Sequence, residues 1–201
     1  MRVKKSGRPT NTGTKDLLSS WVSERPDLDL RVFLLGIVMN RIGRMLEASF
    51  ERMCRSEFGI SGPDMRVLFA LRRNGAPYAL RPTDLFRALL VTSGAITKQV
   101  DRLQLLGLVE RVADSEYVGG FKVHLTRKGV KVANKATDAL VQHSLLGEAM
   151  KSIPKAAQAA GEKFVYRLLD DLEREAGKEQ STPGIWQQAP DRVPGDAGAQ
   201  S

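Results

Sequence analysis

Apolar side chains recur every three or four positions from about Leu30 to Phe58. Leu35, Val38, Ile42, Met45, Leu46, Phe50 and Met53 form one stripe, with Arg41, Arg44, Glu47, Glu51 and Arg52 between them. The spacing predicts an amphipathic helix roughly 40 Å long, about the span of a small domain, with Gly59 as its stop. A shorter helix is expected before it over Thr14–Glu24, carrying Leu17, Leu18 and Trp21 on one face and ended by Pro26, whose ring blocks continuation. After it, Ser61 is a candidate N-cap and Pro63 sits in the first turn of a helix whose inner face is Val67, Leu68, Ala70 and Leu71. Asn74-Gly75 closes that helix. Two short helices follow, Pro82–Leu89 and Ser93–Leu106, separated only by Leu90, Val91 and Thr92, and Gly107 ends the second.

Beyond Gly107 the period shortens to alternation. Val109 and Arg111 alternate with Leu108, Glu110 and Val112, and Phe121, Val123 and Leu125 alternate with Lys122, His124 and Thr126. Two strands joined by Asp114–Gly120 are expected to form a β-hairpin. Thr126 is placed to cap a helix starting at Arg127, and the remainder to about Gly177 reads as two helices divided near Ile153-Pro154. The expected fold class is mainly α, six or seven helices with a small β-hairpin. Residues 1–13 carry Arg2, Lys4, Lys5 and Arg8 without an acid and read as a disordered basic arm. Residues 179–201 contain Pro183, Pro190 and Pro194 and read as a disordered tail.

Composition narrows the function classes. The longest apolar run, Val32–Met39, is interrupted by Gly36 and too short to span a bilayer. No apolar stretch follows the basic N-terminus as in a secretory signal, so the expectation is a soluble, cytoplasmic protein without membrane attachment. One cysteine excludes an intramolecular disulfide, and two isolated histidines beside it give no zinc-ligand pattern. No nucleophile–base pattern, phosphate-cradling glycine loop or spaced carboxylate pair is present, and Asp170-Asp171 reads as solvated charge. Neither catalysis, nor a cofactor, nor a metal is therefore expected. The 31 basic and 23 acidic residues leave a net charge of +8, which points to a polyanionic partner.

Two short helices joined by a tight turn and followed by a hairpin make a winged helix-turn-helix. The second helix of such a unit needs small and polar residues at its start, to enter the major groove, and an apolar inner face. Ile96, Val100 and Leu103 supply the inner face, while Ser93, Gly94, Thr97 and Lys98 lie on the exposed start. Residues 92–99 are expected to read bases. The expected DNA contacts are Thr83, Thr92, Ser93, Gly94, Ala95, Thr97, Lys98, Gln99, Arg102, Arg111 and Lys122. Arg102 has two readings, a phosphate contact or a pair with a nearby acid such as Asp101 or Asp84.

Four segments in order, Arg81-Pro-Thr-Asp-Leu, Val91-Thr-Ser-Gly-Ala-Ile-Thr-Lys-Gln-Val-Asp-Arg-Leu, Gly107-Leu-Val-Glu-Arg and Val123-His-Leu-Thr-Arg-Lys-Gly, resemble the MarR family of bacterial transcriptional regulators over about residues 30–175. The resemblance implies a domain over 14–178, with a winged lobe at about 61–127 and interlocking dimerisation helices at about 14–58 and 127–178. It also implies a triangular homodimer on a pseudo-palindromic operator, acting as a repressor released by a small effector, often a phenol or aromatic acid. One departure stands out. Family wings commonly carry an Asp-Arg-Arg run whose arginines approach the minor groove, whereas this chain has Asp114-Ser-Glu-Tyr-Val-Gly-Gly-Phe, with Tyr117, Val118 and Gly119 in those places. Arg111, Lys122 and the basic arm are expected to take over part of the phosphate contact.

Trp21 on a short N-terminal helix is similar to the urate-responsive subgroup, which also uses an aspartate on the helix after the long one and an arginine on the recognition helix. Ungapped matching puts those places at Arg66 and Gln99, so only the tryptophan is retained. The expected effector residues are Trp21, Met65 and Arg66, with Arg66 pairing a carboxylate and Trp21 stacking on an aromatic acid. Cys54 reads as a buried inert thiol, and neither His124 nor His143 has a companion metal ligand. The alternative function is a winged-helix interaction module whose basic surface meets an acidic protein.

Overall fold

A computed structural model of the chain describes residues 13–117 and 119–181. The expected basic arm apart from Gly13, Val118 of the wing, and the tail beyond Ser181 lie outside the described residues. The chain divides after Glu148 into two compact units. The first holds α1 (Thr14–Glu24), α2 (Arg31–Phe58), α3 (Gly62–Arg73), β1 (Ala79–Leu80), α4 (Pro82–Leu89), α5 (Ser93–Leu105), β2 (Val109–Ala113), β3 (Phe121–Leu125) and α6 (Arg127–His143). The start of α7 (Leu145–Met150) also belongs to it, and α8 (Lys155–Ser181) lies in the second unit.

Local chemistry sets the boundaries. Gly59 takes a left-handed conformation (φ 68°) and its N–H donates to the Arg55 carbonyl, ending α2. The Ser61 hydroxyl accepts from the Asp64 N–H at 3.2 Å, with Pro63 in the first turn of α3. Thr92 caps α5 by accepting from the Ala95 N–H at 3.3 Å, and Thr126 caps α6 by accepting from the Gly129 N–H at 3.1 Å. Thr126 also donates to the Gly107 carbonyl at 2.7 Å, which ties the start of α6 to the end of the α5 turn.

The sheet is antiparallel in the order β1-β3-β2, with Val109 opposite Leu125 and Ala113 opposite Phe121. β1, which pairs Ala79 with His124, was not expected, because two residues carry no periodicity. Among the described residues there are eight helices rather than six or seven. The segment after Thr126 breaks first at Ser144, whose hydroxyl accepts from the Gly147 N–H and opens α7. α8 continues to Ser181, past the expected boundary at 178.

The core of the lobe joins Leu68 and Leu71 of α3, Leu85 of α4, Ile96, Val100 and Leu103 of α5, Val109 and Val123 of the sheet, and Ala133 and Ala136 of α6. Burial of this set fixes α5 against α3 and the hairpin. Gly129 is required by close approach, since a Cβ there would collide with the Leu108 carbonyl oxygen. No described helix is long and apolar enough to cross a membrane.

Candidate DNA interface and the cleft behind it

The start of α5 presents Thr92, Ser93, Gly94, Thr97 and Lys98 to solvent, while Ile96, Val100 and Leu103 hold its opposite side in the core. Two of the polar groups are partly spent on the helix itself: the Thr92 hydroxyl caps it, and the Thr97 hydroxyl donates to the Ser93 carbonyl at 3.2 Å. Ala95 is half-buried. Lys98 carries no ion pair among the described residues and is the free cation of this surface. Thr83 is exposed at the first turn of α4. This surface offers hydroxyl donors and one ammonium to phosphates and base edges.

Four expected contacts are placed otherwise. Gln99 is only 6% exposed, and its carboxamide oxygen is buried with no hydrogen-bond partner. Its helical phase explains this, because it lies three residues after Ile96 and four before Leu103 on the inner stripe. Arg102 pairs with neither Asp101 nor Asp84: its guanidinium holds the buried Asp64 carboxylate through two bonds, at 2.6 and 3.2 Å. Arg111 is engaged by Asp101 and by Gln104 at 2.8 Å, and lies over the Phe121 ring. Lys122 faces Asp114 at 3.3 Å and Glu116 at 3.4 Å. The latter two are therefore not the spare wing cations expected from the sequence.

The expected effector residues do not converge on one contact. Met65 is wholly buried in the core. Arg66 pairs with Glu47 of α2 and stacks over Phe50, while Trp21 meets Phe33 edge-on at 4.9 Å. α3 does carry an aspartate and α5 an arginine, Asp64 and Arg102, and they bind each other. The signal for Asp64 was its phase, three and four residues before Val67 and Leu68 on the inner stripe of α3.

Asp64 and Arg102 line a cleft of about 750 Å³, together with Glu47 and Glu51 of α2 and Lys98 and Gln99 of α5. Glu51 is held at its mouth. The Gly62 N–H donates to one oxygen at 2.5 Å and Arg55 binds the other. The Gly62 contact is the first cause of a carboxyl pKa below the usual range. The cleft thus combines Lys98, the Asp64–Arg102 pair, in which Asp64 is the covered carboxylate, and a residue with a buried acceptor lacking a partner, directly behind the exposed start of α5. Among the described residues no cluster of histidine, cysteine or acids is arranged to hold a metal.

Comparison with known proteins places this architecture. Residues 58–116 match the model of the MarR family. The HTH-type transcriptional regulator PecS of Dickeya dadantii (strain 3937) is 27% identical over 128 residues, covering 64% of this chain and 76% of PecS. Among solved structures, the transcriptional regulator BldR from Sulfolobus solfataricus is 25% identical at a TM-score of 0.61, covering 72% of this chain and 96% of BldR. A single-site mutant of MarR from E. coli, solved in complex with operator DNA, has the same fold at 24% identity and a TM-score of 0.59, covering 70% of this chain and 96% of that one.

Proposed function

We propose that the chain is a MarR-family, DNA-binding transcriptional regulator, as the family match over residues 58–116 and the similarity to PecS support, and that it is a homodimeric repressor released from a pseudo-palindromic operator by a small aromatic effector. Each α5 enters the major groove, with Ser93, Gly94, Thr97 and Lys98 toward base edges and phosphates, and Thr83 toward the flanking backbone. Two lobes address half-sites about one helical turn apart.

The observation that carries the effector reading is the buried, unpartnered oxygen of Gln99, a residue that lines a cleft together with Lys98 and Arg102. A buried acceptor without a donor is costly, and a ligand N–H or O–H relieves it. Lys98 is the lining cation without an acid partner among the described residues and favours an anion, so the fitting ligand is a small planar anion bearing N–H or O–H donors. Aromatic acids and urate belong to that class. Effector binding between α2, α3 and α5 releases DNA only to the extent that it favours a form whose α5 is displaced.

Gel shifts on the promoter beside the gene test both parts. The wild type is expected to prefer that DNA over random sequence and to release it with an aromatic acid or urate. Gln99→Leu, which removes the unpaired acceptor, is expected to keep operator affinity and lose the response. A Gln99→Leu protein that responds normally refutes the effector site. Absence of any operator preference in the wild type instead favours an interaction module for an acidic protein.

A further inference from the structure

The charges of the wing close on themselves. Asp114 sits at the base of the hairpin loop, its carboxylate almost wholly covered. It accepts from Arg81 Nε at 2.5 Å and from the Glu116 N–H at 3.0 Å, with Lys122 Nζ at 3.3 Å. Glu116 takes the other end of Arg81 at 2.7 Å and faces the same Lys122 at 3.4 Å. Two cations and two anions cancel, and no unpaired cation remains in the loop among the described residues. What the tip presents is aromatic: Tyr117 is 67% exposed.

That ring stands on a fixed stalk. The Tyr117 N–H donates to the Asp114 carbonyl at 3.3 Å, and the Gly120 N–H donates back to the Tyr117 carbonyl at 3.0 Å. The ring lies so close over Gly120 that a Cβ there would fall 2.6 Å from Tyr117 Cδ1. Between the ring and the start of α4 is a cleft of about 490 Å³, flanked by Pro82, Thr83 and Phe121, with Arg81 and Asp114 also lining it.

We infer that Tyr117 is the DNA contact of the wing, an aromatic edge placed in the minor groove in the role of a cation, with the intervening phosphate strand in the cleft beside Thr83. The inference rests on the DNA-binding reading and adds to it the residue and the mode of contact. The hairpin follows α5 directly and is braced to it by Arg111, which reaches Asp101 and Gln104. An element flanking a helix in the major groove crosses one phosphate strand and meets the adjoining minor groove. That groove is about 6 Å wide, a fit for the edge of one ring. An uncharged ring gains from apolar contact with sugars and partial insertion at a base step, which depends on groove width and deformability rather than on potential.

Operator binding titrated against salt, with hydroxyl-radical footprinting of the same complexes, tests this. Tyr117→Ala is expected to weaken binding about tenfold, within the range of a lost apolar wedge, with an unchanged salt slope. Protection of the minor groove flanking the α5 site should disappear. Tyr117→Phe should bind within about twofold of wild type, since the ring edge is kept. Tyr117→Arg should steepen the slope by about 0.9, the increment of one phosphate contact. Wild-type affinity and footprint in Tyr117→Ala overturn the inference while leaving DNA binding intact, and a shallower slope in that variant overturns it equally. If the alanine variant does not fold by circular dichroism, a wild-type footprint lacking flank protection overturns it. A wild type without operator preference removes the underlying reading instead.

Discussion

Asp114 is the most enclosed carboxylate of the wing, and its neighbours decide its charge. The Arg81 guanidinium beside it is the main cause of a pKa lowered to about 2; burial opposes the shift, and the Glu116 N–H and Lys122 add to it. Its unfolded value is about 3.9, so the folded pKa is the depressed one. The stability it confers is therefore fully present above about pH 4 and is lost as the pH falls through about 2. Thermal unfolding of the wild type should show a falling limb in that window, and Asp114→Asn should flatten it. Parallel curves for the two proteins would refute the assignment. Cys54 is perturbed the other way. Burial foremost, then Glu51, raises its thiol to about 11, so it is a protonated core residue at neutral pH and a poor thiolate sensor.

At the scale of elements, the turn between α4 and α5 contains a backbone cost. Leu90 caps α4 in the left-handed region (φ 53°) and is 92% exposed. A branched residue there costs about 1–2 kcal/mol that a glycine or asparagine avoids. Leu90→Asn should therefore raise the melting temperature, by an amount corresponding to about 0.5–1 kcal/mol; an unchanged or lower value argues that Leu90 packs against something in the assembled protein. The same turn shows what the sequence could reveal. Helix ends were legible wherever one residue type carries the geometry: Ser61 and Thr126 as caps, Gly59 and Gly107 as stops. The inner stripes of α3 and α5 were legible from spacing. The partners of long polar side chains were not, because Asp64 and Arg102, or Arg81 and Asp114, are more than thirty positions apart and meet only once helices and wing are packed. Hence Arg111 and Lys122 read as free cations, and Gln99, a polar residue on an apolar stripe, read as exposed.

For the whole molecule, the dominant question is apolar surface. α2 leaves Phe33, Leu35, Ile42 and Met45 exposed, and Val32 is 82% exposed. In the second unit, α8 exposes Phe164, Val165, Leu169 and Leu172. A soluble monomer rarely tolerates contiguous patches of this kind. In the proposed homodimer, pairing of an apolar face with its own copy about a twofold axis buries both at once and would bring two recognition helices to one duplex, which the proposed operator requires. Folding is then coupled to association, so the melting temperature should rise with protein concentration. Met45→Glu places a charge in each half of an apolar seam. That variant should sediment as a monomer and lose about 100-fold or more in operator affinity, because the second half-site no longer binds at high effective concentration. The salt slope of the monomer should be about half that of the dimer, since each lobe contributes its own phosphate contacts. A wild type that sediments as a monomer at micromolar concentration, with a melting temperature independent of dilution, would sink the dimer. The exposed stripe on α2 would then belong to a different partner, and a single lobe would have to account for the whole of DNA binding.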